Sequence, residues 1–199
     1  MNFANRVHQA ALRLIDLLEE SGTPYALMGG LAVPIWAIPR ATFDIDLVLS
    51  VDESGLRDFL ETARTAEFQV DPPFESGFRD VIQGMEKIRI EWWTPESRRV
   101  EIDVFLVSTP YQEAAFARRA RVGINGRQTW VLSAADLILH KLVAGRPKDA
   151  ADVQSILAVQ GVPDEAYLRE WAARLGVSAA LHRAIDDVGG GPEESSSDE

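Results

Sequence analysis

Asp44 and Asp46 stand two residues apart in a segment, residues 43–49, where Ile45, Leu47 and Leu49 form the apolar half of a strand alternation. Residues two apart on a strand share a face, so the two carboxylates project together from a strand whose other face seeks the core. Adjacent anions repel unless a cation neutralises them, and hard oxygen ligands suit Mg2+. Asp103 offers a third carboxylate on a second alternating segment, residues 99–107, with Glu101 one pleat away on the same face. The alternation alone admits either as the third ligand. Three carboxylates from two strands can hold two Mg2+ ions about 3.5–4 Å apart, which stabilises the attacking and leaving oxygens of a displacement at phosphorus. Gly29-Gly30 belongs with this set, because a glycine pair between a strand and a helix lets backbone N–H groups approach a phosphate closely. Each motif alone has an ordinary explanation, a turn or a solvated strand face. Strand, glycine pair, helix, strand and Asp-x-Asp within 18 residues is a far more specific pattern.

The elements that must position these residues are legible in the periodicity. Val7, Ala11, Leu14 and Leu18 recur at helical spacing before Gly22, and a strand over 25–28 runs into Gly29-Gly30. Pro34 and Pro39 bracket a short helix or turn, residues 53–66 read as a helix, and Pro72, Pro73 and Gly77 punctuate a looser stretch. Strands over 87–93 and 99–107 are joined through Thr94, Pro95, Glu96 and Ser97, a good hairpin connection. A helix over 111–120 and a strand over 128–132 complete an α/β portion, after which the pattern is helical to about residue 188, broken at Gly145/Pro147 and Gly161/Pro163. The expected architecture is a mixed sheet with flanking helices over 1–132, a small helical lobe over 133–188, and a disordered acidic tail over 189–199.

Composition narrows the classes. The chain has 199 residues, 46% of them hydrophobic and 26% charged, which excludes wholesale disorder and fibrous folds. It has no cysteine and three scattered histidines, so disulfide frameworks, thiolate zinc sites and cysteine nucleophiles are excluded. The net charge of −11 argues against non-specific binding to a nucleic-acid backbone. Four of the acids (Glu193, Glu194, Asp198 and Glu199) lie in the tail. No apolar run approaches 18 residues and no signal pattern opens the chain, so a soluble cytoplasmic protein without a membrane partner is expected.

On Gly29-Gly30-Leu31-Ala32, Arg40-x-Thr42-x-Asp44-x-Asp46 and Val100-Glu101-Ile102-Asp103-Val104, the sequence resembles the nucleotidyltransferase superfamily with the DNA polymerase β-like fold. In particular it resembles the small bacterial members that include the AbiEii toxins. Residues 141–152, from Lys141 to Asp152, resemble a second signature of that group. The resemblance implies that Asp44 and Asp46 bind the catalytic metals, and that Asp103 completes the site and prefers this role over Glu101. It implies that Gly29 and Gly30 contact the triphosphate, that Lys141 reaches a phosphate from the helical lobe, and that Asp149 and Asp152 shape the pocket nearby. The implied activity is Mg2+-dependent transfer of a nucleoside monophosphate from an NTP to a hydroxyl of a tRNA, a protein or a small molecule. A role in a toxin–antitoxin pair, with a cognate partner protein, is suggested by the same likeness. Leu31 stands where many members carry Ser or Thr, and residues 34–38 lack the usual histidine and glycine. The alternative class is a non-catalytic binding module or antitoxin-like partner on the same fold.

Smaller signals carry two readings each. Arg40 and Thr42 either orient a phosphate or answer the charge of Asp44. Lys148 is either a further nucleotide contact or one half of a surface i,i+4 pair with Asp152. Arg118, Arg119, Arg121 and Arg127 either seat an RNA acceptor or solvate a helix end. His140, beside Lys141, is either catalytic or a structural histidine on an apolar helix.

Overall fold

The computed structural model describes residues 3–82, 84–94 and 98–189. The hairpin connection expected at 95–97 and the acidic tail beyond Gly189 lie outside the described residues. The chain divides into two compact units, one formed by residues 1–35 and 39–133, the other by residues 36–38 and 134–199.

The first unit is built on a mixed sheet. Its strands are β1 (Tyr25–Met28), β2 (Ile45–Leu49), β3 (Phe68–Val70), β4 (Asp80–Ile82), β5 (Met85–Trp93), β6 (Arg99–Leu106), β7 (Ala120–Ile124) and β8 (Arg127–Val131). They lie in the order β3-β5-β6-β2-β1-β8-β7, with β4 also paired to β5. β1 runs antiparallel to β2 and parallel to β8, and β2 runs parallel to β6. The short strands β3, β4 and β7 are additions to the expected set; three to five residues are too few for an alternation to stand out from a loop. β2 begins at Ile45, so Asp44 sits just before the strand and not within it.

Ile45, Leu47, Ile88, Ile90, Ile102 and Val104 share one face of the sheet by register and are fully buried; α1 (Phe3–Ser21) contacts β6 and α3 (Glu53–Thr65), and α3 contacts β3. Each such side chain contributes roughly 1.5–3 kcal/mol by leaving water. Asp52 starts α3 by accepting from the N–H of Gly55 at 2.8 Å. Thr109 and Gln112 close a reciprocal capping box at the start of α5 (Pro110–Ala117), with Pro110 in the first turn. The β7–β8 hairpin is tied to α1 by Arg121–Glu19 at 2.6 Å and Arg127–Asp16 at 2.6 Å. Arg119 lies between the rings of Phe116 and Trp130, at 4.1 and 4.5 Å from their centres. These arginines are therefore spent within the unit, and Arg118 too has a partner.

The second unit packs α6 (Ala134–Ala144), α7 (Pro147–Gln160), α8 (Glu165–Arg174) and α9 (Ser178–Gly189) around Leu137, Ile138, Val153, Ile156 and Leu168. Residues 36–38 belong here because Ser155 Oγ accepts the N–H of Ile38 at 3.2 Å and Gln160 donates to the carbonyl of Trp36 at 3.0 Å. No helix among the described residues is long and apolar enough to cross a membrane.

His140 on α6 is pushed down to about 4 by burial, helped by the neighbouring Lys141 ammonium. The folded protein thus holds it neutral while the unfolded chain, near 6.5, takes up a proton first. Stability is fully present above about pH 6.5 and falls as the pH drops toward 4. We expect the urea midpoint to decline across that window in the wild type and to decline less in His140→Gln.

Candidate active site

The glycine pair opens α2 (Gly29–Trp36) directly at the end of β1. Gly29 has φ +60°, and a Cβ built on it would collide with Oδ2 of Asp46; one on Gly30 would collide with Oγ1 of Thr42. The two glycines are thus the space into which the Asp46 carboxylate and the Thr42 hydroxyl fit. The first turn of α2 presents free N–H groups and the positive end of the helix dipole, so a carboxylate is favoured there. Thr42 in turn donates to Asp44 Oδ1 at 3.0 Å, linking the loop before β2 to the first carboxylate. Arg40 is exposed and donates to the carbonyl of its neighbour Ala41 at 3.1 Å.

Register sets Asp103, and not Glu101, opposite Asp46. β2 and β6 are parallel, with Asp46 directly opposite Asp103, and Arg89 of β5 directly opposite Asp103 on the other side. Glu101 lies one pleat along, opposite Glu91. Asp103 is not bare: Arg89 reaches it with Nε at 2.8 Å from Oδ1 and Nη2 at 3.3 Å from Oδ2, and Lys87 Nζ lies 3.2 Å from Oδ2. Asp103 and, to a lesser degree, Glu101 hold the Arg89 guanidinium above its ordinary range, with burial opposing them. The pairs continue along the face as an alternating chain, Glu91–Arg99–Glu101–Arg89–Asp103–Lys87–Asp80, with contacts between 2.5 and 3.7 Å. Lys87 and Arg89 were not singled out by sequence reasoning. Their place opposite the acids follows only once the β5–β6 register is known.

Mg2+ needs oxygen ligands and is usually held by one or two carboxylates together with substrate phosphates. Asp44 and Asp46, beside the start of α2 at Gly29 and Gly30, fit that description. Asp103, with both oxygens already engaged, does not in this arrangement. Among the described residues no group of three or more His, Cys, Asp or Glu could hold a metal ion unaided.

The remaining expected residues lie in the helical unit. Lys141 is only 5% exposed, with Nζ 3.0 Å from Asp149 Oδ1 and 2.8 Å from Asp152 Oδ2. The lysine expected to reach a phosphate is in this structure the buried link between α6 and α7. Burial pulls the Asp149 carboxyl upward, but hydrogen bonds from Arg146 and Lys141 outweigh it and hold the group below its usual range. The i,i+4 pair expected for Lys148 is not formed: Lys148 is exposed, while Asp152 is buried against Lys141.

A strand–glycine–helix–strand frame with paired carboxylates at its sheet end, followed by a helical unit, is the arrangement of nucleotidyltransferases. The family model for the nucleotidyl transferase AbiEii toxin, Type IV TA system, matches residues 14–193, and the chain belongs to that family. Solved structures with the same fold include an antigenic nucleotidyltransferase-like protein from Paracoccidioides brasiliensis (21% identical, TM-score 0.55), covering 92% of this chain and 93% of that one. ANT(2")-Ia in complex with adenylyl-2"-tobramycin is 13% identical with TM-score 0.57, covering 90% of this chain and 98% of that one. The lincosamide antibiotic adenylyltransferase LnuA, lincomycin-bound, is 13% identical with TM-score 0.52, covering 80% and 100%. No curated protein matches the chain.

Two substitutions test this geometry. Gly29→Ala must adopt a left-handed backbone and displace Asp46, for a loss of about 1–3 kcal/mol, read as a lower thermal midpoint. Lys141→Met removes the cation shared by two buried carboxylates, Asp149 keeping Arg146, and we expect roughly 3–5 kcal/mol of destabilisation by urea unfolding. An unchanged midpoint would return Lys141 to a role in ligand binding.

Proposed function

We propose that the protein transfers a nucleoside monophosphate from an NTP to a hydroxyl acceptor, with Mg2+ held by Asp44 and Asp46. The observation that carries this reading is the row Asp46–Asp103 on adjacent parallel strands, with the Gly29-Gly30 start of α2 against Asp46. Bound Mg2+ would supply charge neutralisation and alignment of the triphosphate. The backbone N–H groups at Gly29 and Gly30 would receive phosphate oxygens, and Thr42, on Asp44, would hold the first carboxylate in position. Asp103 would orient the acceptor hydroxyl. The proton of the acceptor hydroxyl passes to water. The acceptor oxygen forms a bond to the α-phosphorus, the bridge to the β-phosphate breaks, and pyrophosphate leaves. Positioning and charge stabilisation supply most of the catalysis in such chemistry.

Among the structural relatives, ANT(2")-Ia is in complex with adenylyl-2"-tobramycin and LnuA is lincomycin-bound, and the family is that of a toxin of a Type IV TA system. For this chain we propose a small hydroxylated molecule or a protein as acceptor in preference to tRNA. The arginine group that could seat RNA is engaged with Asp16, Glu19 and aromatic rings, and the chain is acidic. A toxin–antitoxin role, with a cognate antitoxin as partner, is the biological setting that this reading adopts. The ion pairs on Asp103 are the observation that favours the second reading, a non-catalytic module on the same fold.

Thermal unfolding with Mg2+ and each of ATP, GTP, CTP and UTP separates the two. A nucleotide at 100 times its Kd adds about 2.7 kcal/mol, or roughly 5–10 °C for a chain of this size. We expect a Mg2+-dependent shift with at least one nucleotide, abolished in Asp44→Asn/Asp46→Asn. No shift at millimolar nucleotide in a folded sample would favour the non-catalytic module.

A further inference from the structure

Lys87 and Arg89 are the charged groups nearest the carboxylate row that the reaction above leaves without a task. Lys87 is almost fully buried, a rare state for an ammonium, and is paired with Asp103 at 3.2 Å and with Asp80 at 3.7 Å. Arg89 holds Asp103 with two nitrogens and is itself anchored on its far side by Glu101 at 3.1 Å. Both cations are therefore fixed from two directions, and the guanidinium cannot shed its proton. Between them they occupy both oxygens of the one carboxylate that a second metal ion would need.

We propose that Lys87 and Arg89 stand as built-in counter-cations to Asp103, so that the carboxylate row takes one divalent ion, at Asp44 and Asp46, and not two. The inference rests on the nucleotidyltransferase reading of this site. A second ion on Asp103 would meet two positive charges at contact distance. Moving them aside would strip Lys87 of its nearer partner inside the protein, where an unpaired charge is strongly disfavoured. Asp46 and Asp103, opposite each other across β2 and β6, are relieved of mutual repulsion by different means. Asp103 is answered by the side chains of β5, and the divalent ion is assigned to Asp44 and Asp46. Lys87 and Arg89 are thus positioning residues that set the metal count.

The test counts bound Mn2+, alone and without nucleotide, on the full chain by electron paramagnetic resonance. One ion per chain is expected in the wild type, one with similar affinity in Asp103→Asn, and none in Asp44→Asn/Asp46→Asn. Arg89→Met and Lys87→Met/Arg89→Met, checked for folding by circular dichroism, should gain a second ion. Two ions in the wild type, or a tenfold or greater loss of affinity in Asp103→Asn, would overturn the proposal while leaving the nucleotidyltransferase reading intact. No bound ion in the wild type would overturn the one-ion proposal, and the Mg2+-nucleotide thermal shift would then decide the nucleotidyltransferase reading by itself. The wild-type and Asp103→Asn counts decide the matter even if the Lys87 and Arg89 variants do not fold.

Discussion

The carboxylate-bearing end of the sheet depends on a side chain that is missing. Asp46 can lie against the first turn of α2 only because residue 29 is glycine, and the left-handed backbone there makes the same demand independently. Gly30 does for the Thr42 hydroxyl what Gly29 does for the carboxylate. From these two vacancies follow the approach of the loop before β2 and the hydrogen bond from Thr42 to Asp44. The glycine pair, read first as a place for phosphate, is equally a place for the protein's own acids. Both uses exploit the same helix start and the same absence of bulk.

Electrostatics extends the argument across the sheet. A central strand bearing an aspartate beside another strand bearing one is a repulsive arrangement. The chain relieves it on one side with an alternating ladder that runs over β4, β5 and β6. The helical unit solves a similar problem differently. There a single lysine serves two aspartates in the interior, and Arg146 adds a second cation from the first turn of α7. In both places acids are tolerated in low-dielectric surroundings because each has a partner at hydrogen-bond distance.

Much of this was legible in the residues. Long alternating runs such as 99–106 and the apolar stripe of α1 fixed the strands and helices around the site, and the Asp-x-Asp with its glycine pair marked the sheet end. What the pattern did not carry was register and facing. Arg89 is opposite Asp103 only through a pairing set across residues 94–98, which spacing does not reveal. Lys148 and Asp152 have the separation of a surface pair, yet their helix turns Asp152 inward to a lysine eleven positions earlier in the chain. A periodic pattern says which residues share a face. It does not say which charged neighbour will claim them once another helix packs there.

The path of the chain at residues 36–38 has a consequence for how the molecule can be divided. The backbone leaves the sheet-bearing unit after Ile35, lends three residues to the helices, returns at Pro39, and crosses again after Ser133. A cut at that last point would not excise an independent piece. It would strip the Trp36 carbonyl and the Ile38 amide of the Gln160 and Ser155 side chains that satisfy them, in the very connection between Gly30 and Thr42. The helices are therefore stitched into the backbone that joins Gly30 to Thr42, and a shuffled or truncated gene could not exchange them without disturbing it.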